Sequence, residues 1–176
     1  MADQSAHMEQ FEEAKTLHNK GVDGDKKAVV KANEMLLKLR ETHPDNALIE
    51  AYYGSTLVLL GRDAVKILER VDKAEEGLDV LNRAVSLDSN NKEIRMLRGN
   101  ICVRLPESFF QCSETAIEDF TFLLNHYKKN SNYLTSNQVR EVLRNLSQAY
   151  QNAGKPDKAN SVLQRLKQLE LKQKKS

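Results

Sequence analysis

The residues best suited to metal or nucleophilic chemistry in this sequence are four histidines and two cysteines, and their spacing decides whether they act together. His7, His18, His43 and His126 are scattered, and none falls in a His-x-x-Glu-His pattern that would bring two imidazoles to one helix face. Cys102 and Cys112 form no Cys-x-x-Cys pair. Two thiols without an export signal suggest a reducing compartment, where free buried cysteine is favoured over a disulfide. Glu12/Glu13 and Glu75/Glu76 are adjacent on helical segments. Neighbours in sequence point to different sides of a helix, so these acids read as solvated faces rather than a general acid–base pair. There is no phosphate-cradling glycine loop and no Gly-x-Ser-x-Gly. This inventory assigns no catalytic residue, no metal ligand and no cofactor, and it points away from an enzyme.

The composition leaves binding as the remaining chemistry. Charged residues make up 30% of the 176 positions, and the mean hydropathy is −0.61. Leu57 to Leu60 is the longest apolar run, too short to span a membrane. The start, MADQSAHMEQFEE, has neither a basic nor an apolar signal region, so a cytoplasmic location is expected. The net charge of +2 hides a gradient. Residues 1–50 carry ten acids and seven bases, whereas residues 140–176 carry nine bases and three acids. A basic end could attract nucleic acid or acidic peptides, or simply be a solvated capping helix with a lysine-rich tail. Tyr150 is its lone aromatic and sits at a core place, so the stacking platform expected of a nucleic-acid surface is missing.

These residues must be positioned by helices. Leu, Ala, Glu, Lys and Gln abound, and no strand-like alternation appears, so the chain reads as all-α. The breakers GVDGD, THPDN, LGRD, DSNN, LPES, KKNSN and AGKPD separate eight apolar-periodic segments. The spacing predicts helices over 5–20, 25–42, 46–61, 66–87, 92–105, 113–129, 135–153 and 156–172. Pro44, Pro106 and Pro156 all fall at helix boundaries or in loops.

The paired segments repeat an order of features. YYGSTLVLLGR followed by AEEGLDVLNRAVSLDSNN offers an aromatic, a glycine, helically spaced leucines, a glycine stop, a small residue and a closing turn. LRGNICVRLP with ETAIEDFTFLL repeats it, as does NLSQAYQNAGKPDKANSVLQRL, and ANEMLLKLRETHPDN supplies a second helix with its turn. The sequence resembles the tetratricopeptide repeat family, and its uneven units also look like a group of uncharacterised bacterial repeat proteins. Leu146, Ser147, Tyr150, Gly154, Ala159, Leu163 and Leu166 take the family's places in the last unit. Gly99, Cys102, Pro106, Ala116, Phe120 and Leu123 do so before it, and Tyr53, Gly54, Leu57, Gly61, Gly77, Leu81 and Ala84 earlier still.

The resemblance implies a right-handed α-solenoid of about four helix-turn-helix hairpins, eight helices, in a single domain over 1–176. Its units would be about 5–45, 46–91, 92–134 and 135–172, with 173–176 a tail. Ser147 and Ala159 would be small because two helix backbones approach there, with Gly154 and Pro156 turning the chain back. Between Gly61 and Gly77 lie roughly eleven residues more than the family spacing, about three helical turns, which longer helices absorb without rotating the apolar face. A protruding or lengthened second hairpin is expected. A smaller insertion in LPESFFQCSETA enlarges another loop.

Such a fold has a concave groove lined by first helices. Its candidate partner-binding residues are Ser55, Met96, Asn100, Arg104, Arg144, Gln148, Gln151 and Asn152. Amides and arginines can hydrogen-bond an extended peptide backbone, or merely tolerate solvent. Ala51, Ser55 and Met96 break the lysine and asparagine set with which family members grip chaperone C-termini. Arg98 is either a groove cation or a structural arginine paired with Glu118 or Asp119; a fork-like acceptor favours the pair. Phe109 and Phe110 read as core lids or an exposed patch, with core favoured. The expected function is a protein-interaction module or adaptor for a protein or peptide, without nucleic acid or membrane. The alternatives are a self-associating scaffold, or a nucleic-acid-associated protein using the basic end at Lys172, Lys174 and Lys175.

Overall fold

A computed structural model describes the backbone of residues 2–173 and the side chains of residues 7–171. Beyond Gln173 the expected tail lies outside the described residues, as do the side chains of Lys172, Lys174 and Lys175. The described residues form only helices: α1 (Ala2–Val22), α2 (Lys26–Thr42), α3 (Ala47–Asp63), α4 (Ile67–Leu87), α5 (Lys92–Cys102), α6 (Glu107–Phe110), α7 (Ser113–Lys129), α8 (Ser136–Asn152) and α9 (Pro156–Gln173). The chain is all-α, as its sequence predicts, but the described residues form nine helices where eight are expected. The addition is the one-turn α6, inside the enlarged LPES loop.

Local chemistry sets the boundaries. Asp25 caps α2 by accepting from the Ala28 amide, and Asn46 caps α3 by accepting from Leu48 and Ile49. Asn91 does the same for Glu93 and Ile94 in α5. Thr135 and Gln138 form a reciprocal capping box on α8. Pro156 opens α9, where its missing N–H costs nothing. Gly154, just after α8, has φ +69°, a left-handed turn that glycine adopts without strain.

The chain divides into two compact units, one up to Leu97 and one from Arg98 onward. The first contains α1–α4 and the start of α5. Its core gathers Ala14, Ala32, Leu36, Tyr52, Tyr53 and Leu57, with Phe11, Leu17 and Met35 at the margin. The α3–α4 hairpin closes on two glycines. A Cβ at Gly54 would sit 2.8 Å from the Gly77 carbonyl oxygen, and one at Gly77 would sit 2.6 Å from that of Gly54. The inserted residues lengthen α4 to 21 residues. Glu50 is 1% exposed and takes Arg40 Nε at 2.6 Å, Arg40 Nη2 at 2.9 Å and Arg83 Nη1 at 2.9 Å. This triad ties α2, α3 and α4 together.

The second unit holds the end of α5, then α6 to α9, around Ala116, Phe120, Leu123, Val142, Leu143 and Leu166. Ser147 and Ala159 meet as expected, with the serine hydroxyl donating to the Ala159 carbonyl at 3.0 Å. Arg98 is the structural arginine of the two readings. Its Nε and Nη2 each donate to one oxygen of the fully buried Asp119 at 2.8 Å.

The glycine contact in α3–α4 generates a stability prediction. Gly54→Leu gains helix propensity of about 0.5–1 kcal/mol. Its side chain must enter space held by the Gly77 backbone, Val80 and Leu81. Overpacking of this kind costs about 1–3 kcal/mol, so a net loss should appear in thermal or denaturant unfolding. A melting midpoint at or above that of the wild type would contradict the close crossing.

Candidate functional site

In the second unit, α8 presents Glu141, Asn145, Gln148 and Asn152 on one stripe, because they recur at helical spacing. The side chains meet the end of α5 through hydrogen bonds. Asn100 Nδ2 donates to Glu141 Oε1 at 3.2 Å, and Asn145 Nδ2 donates to Asn100 Oδ1 at 2.8 Å. Asn152 Nδ2 reaches the Val103 carbonyl at 3.1 Å, while Gln148 Nε2 donates to Asn152 Oδ1 at 2.8 Å. Arg104 Nη1 donates to the Asn100 carbonyl at 2.7 Å. The structure thus brings together Asn100, Arg104, Gln148 and Asn152 from the sequence-derived set. Arg144 and Gln151 are exposed on the same helix, and Arg144 Nη2 pairs with Glu170 of α9 at 3.1 Å. Sequence reasoning missed Asn145, whose amide is the central rung. The signal was its spacing four residues from Glu141 and three from Gln148.

Ser55 and Met96 belong to the first unit. Met96 is half-buried, and Ser55 is 3% exposed, with its Oγ 2.7 Å from His18 Nε2 rather than facing solvent. His18 is also buried, edge-on to Tyr52 at a ring separation of 5.0 Å. Burial pushes the imidazole below its ordinary value of 6.5, against a smaller opposing effect of Asn19. Nearby, Tyr52 Oη donates to Glu93, and Lys15 Nζ lies 3.0 Å from the same carboxylate. Burial works to raise the Glu93 carboxyl, but these two donors outweigh it and hold it below its usual range. Burial and the Glu93 contact push the Tyr52 phenol up.

Phe11 stands edge-on to Tyr52, and its other side opens to a cleft of about 700 Å³ bounded by α1, the end of α2 and the start of α3. Met8, Phe11, Leu39, Leu48 and Ile49 supply apolar lining, with Glu12 and Lys15 among the polar residues. This cleft was not legible in the sequence, because its lining comes from three helices that only the fold brings together.

The two cysteines are free and buried, as the sequence predicts. Cys112 Sγ lies 3.5 Å from the Cys102 carbonyl oxygen. The Cys112 side chain, with burial, pushes the Cys102 thiol up, which disfavours the nucleophilic thiolate. Phe109 corrects the favoured core reading, being 73% exposed, while Phe110 is half-buried. The loop is held instead by Glu107, which accepts from the Ser113 amide at 2.9 Å and from its hydroxyl. Among the described residues, no group of three His, Cys, Asp or Glu could hold a metal ion. No described helix is long and apolar enough to cross a membrane.

The sequence matches no family model and no curated protein. Solved structures do match. One titled MamA MSR-1 aligns with 91% of this chain and 78% of its own at 17% identity, with a TM-score of 0.56. One titled MamA AMB-1 aligns with 89% of this chain and 79% of its own at 18% identity, with a TM-score of 0.55. The chain is similar to MamA in fold. At these identities the likeness is one of fold alone, and it agrees with the all-helical hairpin solenoid expected from the sequence.

Buried His18 generates a pH prediction. Its folded value lies below the unfolded value of about 6.5, so the unfolded chain takes up the proton first as pH falls. The contribution to stability is therefore fully present above about pH 6.5 and is lost as pH falls below it. Thermal melts of the wild type at about pH 7.5 and about pH 5.5 should diverge more than those of His18→Gln. Equal divergence in the two proteins would remove His18 as the sensitive group.

Proposed function

We propose that this chain is a tetratricopeptide-repeat interaction module without catalytic activity, taking an extended peptide along the polar strip of α5 and α8. The observation that carries the reading is the row of amides between those helices. Asn100, Asn145, Gln148 and Asn152 are fixed by one another and by the Val103 carbonyl. An amide held by neighbours loses little further entropy when it binds, and each still has donor or acceptor capacity beyond the bond that orients it. Arg144 and Gln151 flank the row and are exposed, so they can reach a peptide carboxylate or carbonyl. Main-chain amides are the complementary chemistry, since every residue of an extended segment offers one donor and one acceptor.

Two kinds of variant separate binding from folding. Arg144→Ala, Gln148→Ala and Gln151→Ala alter exposed positions, and stability should stay within about 0.5 kcal/mol for each change. Asn100→Ala instead leaves the Asn145 amide without its acceptor and should cost about 1 kcal/mol. The triple variant should lose binding to an immobilised library of short unstructured peptides while its melting curve stays close to wild type. Peptide binding by the triple variant equal to that of wild type would place recognition elsewhere. Absence of binding by the wild type would sink the reading.

A further inference from the structure

Three aliphatic side chains within four consecutive residues, at the link after α3 and the first turn of α4, stand largely in water. Val65 is 91% exposed, Ile67 76% and Leu68 78%. The tip that carries them has a defined shape. Arg62 Nη2 donates to the Gly21 carbonyl at 2.9 Å, and Arg70 Nε donates to the Ala64 carbonyl at 2.7 Å. Lys66 sits among the aliphatics, exposed, and Arg62, Arg70 and the equally exposed Glu69 flank them, so the apolar tip has a mixed rim with Lys66 its innermost charge. Of the nearby acids, Asp63 is already paired with Arg62 at 2.8 Å. An aliphatic cluster this exposed is a surface that association covers.

The opposite end of α3 has the complementary character. Leu48 and Ile49, with Met8, Phe11 and Leu39, line the 700 Å³ cleft; exposed Glu9 stands on α1 beside it, and Glu12 in the lining already lies 3.7 Å from Lys15 Nζ. Leu48 and Val65 are separated by the whole of α3, roughly 25 Å at 1.5 Å per residue. The tip cannot fold back into the cleft of its own chain.

We propose that the Val65–Leu68 tip of one copy docks in the α1–α3 cleft of a second copy, aliphatic side chains on apolar lining and Lys66 toward Glu9. The contact joins two different surfaces, so a pair retains one unused tip on one copy and one unused cleft on the other. The association is head-to-tail and continues with concentration unless a ring closes. Three side chains cover far less than the roughly 800 Å² per partner of a stable interface, so the complex is weak and reversible. The inference is independent of the polar strip on α5 and α8.

The test uses the full chain in sedimentation equilibrium across a series from micromolar to millimolar. The weight-average mass of the wild type should climb steadily through the series. The double variant Ile67→Glu/Leu68→Glu lacks a tip and Met8→Glu lacks a cleft; each should remain a monomer with unchanged circular dichroism, since all three positions are more than two-thirds exposed. An equimolar mixture of the two variants should associate again and stop at pairs, because only one intact tip and one intact cleft can meet. Lys66→Glu should weaken the wild-type association. A wild type that stays monomeric throughout overturns the proposal, and so does a mixture of variants that stays monomeric while the wild type associates. Flotation of a monomeric wild type, but not of the double variant, with phosphatidylcholine–phosphatidylserine vesicles would assign the tip to a lipid surface and likewise overturn it.

Discussion

Helices in a hairpin can approach only as far as the residues at their crossing allow, and the backbone contact between Gly54 and Gly77 sets that distance for α3 and α4. With carbonyl oxygens less than 3 Å from where a Cβ would stand, neither position admits a side chain without displacement. The close crossing fixes which residues on either side face inward. It places Leu57 and Leu81 in the interior and Glu50 within reach of Arg83. In the second unit Ser147 and Ala159 do comparable work, with a hydroxyl in place of empty space. The serine oxygen meets a helix carbonyl there, so the polar atom is satisfied at the point of closest approach.

Tight crossings leave polar groups in the interior, and the two buried carboxylates Glu50 and Asp119 are matched. Glu50 receives three guanidinium N–H bonds, and Asp119 receives both arms of Arg98. An isolated buried carboxylate would cost several kcal/mol, and a forked arginine offsets that cost only in a narrow range of geometries. These pairs therefore act more as register marks than as a store of stability. A helix displaced by one turn would strand a charge. The His18–Ser55 contact belongs to the same class, with a neutral imidazole where a charged one would be poorly solvated.

The two units present different surfaces. The second offers a row of mutually held amides, suited to a peptide backbone, which is polar and regular. The first offers an aliphatic tip and a mixed cleft at the two ends of one helix, suited to each other in chemistry but separated by the length of that helix. The proposed self-association and the proposed peptide binding use no residue in common.

The all-α class, the helix boundaries and the small-residue crossings were legible in the sequence, since they rest on local rules. Asn46, Asn91 and Thr135 announce helix starts by their capping chemistry, Pro156 and Gly154 announce a turn, and spacing of leucines marks the inward face. The pairing of Arg98 with an acid on the next long helix could be read as a preferred alternative, but only packing made buried Asp119 the forked acceptor, with Glu118 farther off at 3.7 Å. The one-turn α6 escaped because four residues carry no periodicity, and Phe109 was misplaced because hydrophobicity alone does not say whether a loop has room beneath it. Ser55, a groove candidate by its place in the repeat, is turned inward to His18 of a helix thirty-seven positions away. The amide row, the cleft and the exposed tip were decided by tertiary structure, because each depends on which side chains from distant segments share one face of the folded chain.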